Sequence, residues 1–167
     1  MKIIAPALSE ELLSECEDSF FEHSDKRVWI SSDTYWEKPL IRNVSGVCNI
    51  TDVPEELRLK IEKEINHHLP EYNYLIVTFS IWHRHSGICF HSDDNNLFGV
   101  TIYLDRIWDP EWGGVFMWYE KNDTDNPQVF FPKRNYMIIN DEHEYHMVSE
   151  VSSFAQTVRK TIQIFGK

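Results

Sequence analysis

Residues 74–104 read YLIVTFSIWHRHSGICFHSDDNNLFGVTIYL, from Tyr74 to Leu104. Its first and last parts, 74–82 and 98–104, are short runs rich in Val, Ile, Phe, Tyr and Trp, as strands are. Two turn signals divide them: His85-Ser86-Gly87, and Asp93 to Asn96. The pattern repeats downstream. Residues 114–119, 128–131, 135–140 and 158–165 have the same composition. Asp109-Pro110, Gly113-Gly114, Asn122 to Pro127 and Asn140-Asp141 punctuate them. Closely spaced strands of this kind predict a barrel or a double-sheet jelly roll.

Upstream of Pro70 the period is helical. Residues 9–22 place Leu12, Leu13, Cys16, Phe20 and Phe21 near one face, with Ser9 as a cap. Residues 53–69 predict a second helix, with Asp52 as N-cap, Glu55 in a capping box and Pro54 in the first turn. Leu57, Ile61, Ile65 and Leu69 form its apolar stripe. The stretch 23–52 fits either strand or a lid over a cavity, with Trp29, Tyr35 and Trp36 as its large rings. The expectation is one mainly β domain over 1–167. Its N-terminal helical support and lid span 1–70, and its core spans 71–167.

Composition limits the function. The chain has 167 residues, 42% of them hydrophobic, which supports one packed domain. Its net charge is −11 and it has no Lys/Arg run, which disfavours nucleic acid as a partner. No stretch approaches a membrane span, and the first ten residues lack the apolar core of a signal peptide. Cys16, Cys48 and Cys89 form neither a zinc pattern nor a disulfide framework. A reduced, cytoplasmic protein is expected, without contact to membranes.

Three stretches carry the chemistry. In extended chain, His91 and Asp93 share a face, so an imidazole and a carboxylate can meet one metal ion. A second His is available downstream, His146 or its neighbour His143. Two His and one carboxylate leave positions open on non-haem Fe(II). The run 158–165 alternates, with Arg159, Thr161 and Gln163 on one face and Lys160, Ile162 and Ile164 on the other. If the polar face is buried it needs partners, and a planar guanidinium suits a carboxylate. An edge strand with that face in water is the plainer alternative. Tyr103 shares a face with Thr101 and offers a buried hydroxyl.

In order, these motifs resemble the Fe(II)/2-oxoglutarate-dependent dioxygenase superfamily, and within it the prolyl-4-hydroxylase-like branch. The resemblance covers roughly 74–165. Ser86 to Asp93 is similar to the family's Gly followed by the iron-binding His-x-Asp. Thr101 to Asp105, Trp108 and Gly113-Gly114 are similar to the strand, Trp and Gly-Gly that follow. Pro132, Asn135 and Tyr136 to Asn140 match the next strand and turn, and His146-Met147-Val148 the distal His-x-Val. Arg159-Lys160-Thr161 matches the final strand. The chain departs from the branch at Ile81-Trp82, where a Tyr that contacts the cosubstrate often stands. The spacing from His146 to Arg159 implies an extra turn around 152–156.

The resemblance implies a double-stranded β-helix with Fe(II) held by His91, Asp93 and His146. It implies 2-oxoglutarate and O2 as cosubstrates, the far carboxylate of 2-oxoglutarate being held by Arg159, Thr161 and Tyr103. Lys160 is a rival anchor and His143 a rival ligand. The implied reaction is hydroxylation of an unactivated C–H bond, with release of succinate and CO2. The expected substrate is a prolyl or other protein residue, or a small molecule. Two other readings use the same residues: a zinc-dependent hydrolase on a cupin-like barrel, and a non-enzymatic Trp-rich jelly-roll binding module. Oligomeric state is not legible in the sequence.

Overall fold

The chain passes back and forth between two antiparallel sheets. This is seen in a computed structural model, which describes residues 1–22, 28–36, 42–120 and 123–167. Among them the strands are β1 Lys2–Ile4, β2 Ile30–Ser31, β3 Val44–Ser45, β4 Cys48–Asp52, β5 Leu75–Trp82, β6 Gly87–His91, β7 Phe98–Tyr103, β8 Phe116–Glu120, β9 Asp123–Phe130, β10 Met137–Asp141, β11 His146–Val148 and β12 Arg159–Gly166. The major sheet has the order β1-β10-β7-β12-β5-β4-β2, and the minor sheet β3-β6-β11-β8-β9. From β5 onward, successive strands mostly alternate between sheets. That is a jelly-roll double-stranded β-helix, the expected fold.

Two apolar layers follow from strand alternation. The outer face of the major sheet carries Val77, Phe79, Val100, Ile102, Ile162 and Ile164. Helices α1 (Glu10–Glu22) and α3 (Glu55–Ile65) cover it. Leu13, Cys16 and Phe20 of α1, and Leu57, Ile61 and Ile65 of α3, are buried there. Each such side chain contributes about 1.5–3 kcal/mol. The inner layer, between the sheets, holds Ile50, Trp82, Tyr103, Phe116, Trp118, Ile138 and Val148. It also holds the polar residues of the site.

The N-terminal part does more than support. Strands β1 to β4 come from the first 52 residues and extend both sheets. Of the ambiguous stretch 23–52, residues 23–27 and 37–41 lie outside the described residues. Trp29 packs on the helix-side core, and Trp36 on the inner one. A short helix α2, Ser32–Tyr35, precedes Trp36.

Some local expectations are corrected. Phe21 is 59% exposed, because at 100° per residue it turns away from the stripe of Leu13 and Phe20. Asp52 does not cap α3. It ends β4 opposite Thr78, which leaves Pro54 at the cap position with no side-chain cap bond. The segment 123–127, read as turn, is part of β9; Asn122 lies outside the described residues. β9 is an edge strand, where Pro127 costs no ladder bond.

Side chains tie the N-terminus to the barrel. Asn135 sits at φ 61, a left-handed conformation that Asn tolerates. Its amide makes both bonds to the Leu8 backbone, at 2.9 and 2.8 Å. Glu17 of α1, whose side chain is 4% exposed, accepts from Arg134 at 2.6 Å and Arg106 at 2.8 Å. Burial pushes its carboxyl up, but the two guanidinium groups outweigh that and hold it below its ordinary value of 4.5.

A group with a depressed folded pKa stabilises above its unfolded pKa and loses that contribution as pH falls through the folded value. Stability to urea should therefore drop below about pH 4.5, and Glu17→Gln should flatten that drop and cost about 1–3 kcal/mol at neutral pH. Ile61→Ala, which empties a fully buried site, should cost about 2–5 kcal/mol in the same assay.

Candidate metal centre and anion cage

The centre begins with one cross-strand pair. β6 and β11 are antiparallel, and His91 lies opposite His146 in the ladder. Side chains of such a pair stand side by side, and the two ring centroids are 4.4 Å apart. Asp93, two residues past His91, turns back to meet both. Its Oδ1 is 3.7 Å from His91 Nε2, and its Oδ2 is 3.6 Å from His146 Nε2. One possible ligand atom from each of the three residues lies within 4.8 Å of the other two.

The rings are oriented for a cation. His91 Nδ1 bonds to the Cys89 carbonyl at 2.9 Å, and His146 Nδ1 to the Glu144 carbonyl at 2.8 Å. A carbonyl only accepts, so each Nδ1 carries the proton and each Nε2 keeps a free lone pair facing Asp93. Phe116 stacks on His146 at 5.2 Å and 9°. Burial, and then the neighbouring His146, lower the pKa of His91, with Asp93 opposing. Lowering favours the neutral imidazole that a metal requires. His143 stays outside, 79% exposed and paired with Asp94 and Glu142.

Asp93 has its own support. Asn140, at the end of β10, donates from Nδ2 to Asp93 Oδ2 at 3.1 Å, and both groups are buried. The pair fits because Gly99 stands beside it; a Cβ there would lie 2.8 Å from Asp93 Oδ2 and from Asn140 Oδ1. Sequence reasoning marked Asn140 only as a turn residue. Its register opposite Gly99 is what gives it this role, and register between distant strands is not legible locally.

The second half of the candidate site is a cluster of buried donors around Arg159 that could hold an anion. β12 is a central strand, flanked by β5 and β7, so the edge-strand alternative fails. Arg159 is 0% exposed, and among the described residues its Nε, Nη1 and Nη2 have no hydrogen-bond partner. Its Cζ lies 5.1 Å from the Tyr103 ring and 5.5 Å from the Trp82 ring. The Tyr103 hydroxyl is likewise buried beside the guanidinium, with no hydrogen-bond partner of normal geometry among the described residues. Burial pushes that phenol up, against the charge of Arg159, so it keeps its proton to donate. Thr161 is fully buried beside Tyr103. Gln163 accepts from Thr101 at 3.1 Å and donates to Thr161 Oγ1 at 3.2 Å, which leaves the Thr161 hydrogen free. Gly114 makes room for the arginine, since a Cβ there would lie 2.8 Å from Arg159 Cδ.

Lys160 points the other way. Its Nζ pairs with Asp105 Oδ1 at 2.7 Å, and its backbone N–H donates to Asp105 Oδ2 at 2.8 Å. Of the two candidate anchors, only Arg159 is unpaired. The expected extra turn is present, with Ala155 N–H bonded to the Ser152 carbonyl at 3.1 Å.

An inner cavity of about 40 Å³ is lined by His91, Asp93, His146, Trp82, Gln163 and Trp36. Outside it opens a mouth of about 670 Å³, lined by Tyr35, Trp36, Phe90, Asp94 and Tyr145 among others. Phe90 stacks between Tyr119 at 4.9 Å and Tyr145 at 5.3 Å.

Asn140→Ala should weaken Co(II) or Zn(II) binding by roughly 10–100-fold, read by Co(II) absorption or calorimetry, while leaving the far-ultraviolet circular dichroism unchanged.

No family model matches the chain, and no curated protein matches it either. Solved structures do. A Pseudomonas putida prolyl-4-hydroxylase superposes with a TM-score of 0.71 at 13% identity, over 99% of this chain and 91% of that one. A prolyl hydroxylase from Trichoplax adhaerens, in complex with a peptide fragment of the hypoxia inducible factor oxygen degradation domain, gives 0.77 at 14%, over 99% and 82%. A 2OG-Fe(II) oxygenase family oxidoreductase from Burkholderia pseudomallei gives 0.68 at 13%, over 98% and 83%. The chain thus has the fold of the 2OG-Fe(II) oxygenases, in its prolyl-4-hydroxylase-like form.

Proposed function

We propose that this protein is an Fe(II)- and 2-oxoglutarate-dependent oxygenase. It hydroxylates an unactivated C–H bond of a prolyl or other residue in a peptide or protein, and releases succinate and CO2. The observation that carries this reading is the unpartnered guanidinium of Arg159 in the same inter-sheet layer as the His91–Asp93–His146 cluster. An uncompensated buried charge costs several kcal/mol. The two ring contacts recover only about 1–2 kcal/mol each. Such a residue is explained by an anion that binds there.

The donor set fits both groups. Two neutral imidazoles and one carboxylate suit Fe(II) and leave positions free for a chelating 2-oxo acid and for O2. Arg159, Tyr103 and Thr161 together offer donors matched to the far carboxylate of 2-oxoglutarate. When bound, iron and 2-oxoglutarate supply the activation of O2, one atom of which enters succinate and the other the product hydroxyl.

The remaining work belongs to the chain. The Cys89 and Glu144 carbonyls fix the imidazole tautomers. Asn140 fixes the carboxylate. The cage sets the direction in which the diacid lies, and the aromatic inner layer excludes water. Trp36 and Phe165 line both the mouth and the inner cavity, so they stand on the way from solvent to the metal ligands. The mouth is wide enough for a peptide segment, and the Trichoplax relative of the same fold holds a peptide. A zinc hydrolase would use the same three ligands but gives Arg159 nothing to bind. A binding module explains neither half.

Arg159→Met provides the test, since it removes the buried charge but keeps the volume. Thermal stability without cosubstrate should stay level or rise. Succinate formation from 2-oxoglutarate with Fe(II) and ascorbate should fall by roughly a hundredfold or more. Wild-type succinate formation that Arg159→Met leaves unchanged would remove the proposal. His91→Ala should abolish both iron retention and turnover.

A further inference from the structure

Trp82 stands where the resembling branch often has a Tyr, and the structure gives it a definite place. It ends β5 directly across the ladder from Arg159. Alternation turns Ile81 toward the helix-side core and Trp82 toward the inner layer. Its side chain is 3% exposed, and its Nε1–H has no acceptor. Two other indoles are satisfied: Trp108 donates to the Gly113 carbonyl and Trp118 to Glu120 Oε1, each at 2.9 Å. A buried N–H left bare is costly, so the missing acceptor points to a ligand.

Two further observations say where that ligand lies. Arg159 Cζ lies over the Trp82 ring, 5.5 Å from its centroid, so a carboxylate that pairs with the guanidinium lies close to the indole. The same ring lines the inner cavity with His91, Asp93 and His146. Trp82 therefore touches both halves of the site. A diacid that reaches from the metal ligands to Arg159 has to pass along it.

We propose that Trp82 is a cosubstrate-binding residue, whose Nε1–H donates to the far carboxylate held by Arg159. This rests on the functional reading above. The indole stands where a tyrosine that contacts the cosubstrate often stands in the resembling branch, and its ring also packs against the guanidinium. Its N–H only donates, so its partner must be an acceptor such as a carboxylate oxygen, whereas a phenol hydroxyl also accepts.

The test is an ¹⁵N-indole spectrum of the Zn(II)-loaded protein, which does not turn over, titrated with 2-oxoglutarate. The Trp82 resonance is identified as the one missing in Trp82→Phe, or in Trp82→Tyr if the first variant does not fold. On saturation it should move downfield by more than any other indole resonance. Trp82→Phe should weaken 2-oxoglutarate binding by about tenfold, and Trp82→Tyr, which keeps a donor, by about threefold or less. Suppose 2-oxoglutarate binds in an Arg159-dependent way, but the Trp82 resonance stays put or Trp82→Phe binds as well as wild type. Then the inference is overturned and the function stands. If the wild-type protein does not bind 2-oxoglutarate at all, both fall.

Discussion

A fully buried guanidinium with three unpartnered nitrogens is an unfavourable thing to build, and much of the inner layer is arranged around it. Gly114 withholds a side chain so that the Arg159 stem can pass. Asp105 pairs with Lys160, the neighbour of Arg159 on the other face of β12. Gln163 and Thr101 orient Thr161 so that its hydrogen points away from them. Tyr103 and Trp82 flank the charge with rings and contribute two more unsatisfied donors. In the proposed reading they form one half of a binding site whose other half is the acidic and imidazole cluster.

The two sheets divide the labour. Both imidazoles come from the minor sheet, where the pairing of β6 with β11 sets their separation. The anion cage comes from three adjacent strands of the major sheet, β5, β12 and β7. Asn140 of β10 reaches across to hold Asp93. The geometry of the site is therefore the geometry of inter-sheet packing, and the outer helices matter because they hold the major sheet in place. The Glu17 ion network and the Asn135–Leu8 pair fasten helix α1 and the chain start to the barrel loops. They are remote from the chemistry, yet they set the rigidity of the wall that carries Arg159.

Much of this was legible in the residues. Alternation in 158–165 was enough to separate Arg159 and Thr161 from Lys160, because a strand has only two faces. The spacing of His91 and Asp93 placed them together for the same reason. What escaped was set by partners distant in sequence. The short strands β1 to β4 have no strong pattern of their own and exist because edges of the sheets were free to be extended. Pro127 read as a turn because nothing local reveals that β9 is an edge. Asp52 read as a cap, but the β4 ladder claimed it. Asn140 became visible only through its register with Gly99. The choice between His143 and His146 needed the same kind of information, since both sit in one charged segment and only His146 falls opposite His91.

The central claim is that the layer between the two sheets holds both a three-ligand metal centre and a set of donors for the far end of a 2-oxo diacid. Anaerobic addition of Fe(II) and then 2-oxoglutarate, followed by visible absorption, tests it most directly. The account predicts a saturable charge-transfer band that is present in the wild-type protein and absent in His91→Ala. A folded protein that retains iron but develops no band at any concentration of 2-oxoglutarate would contradict it.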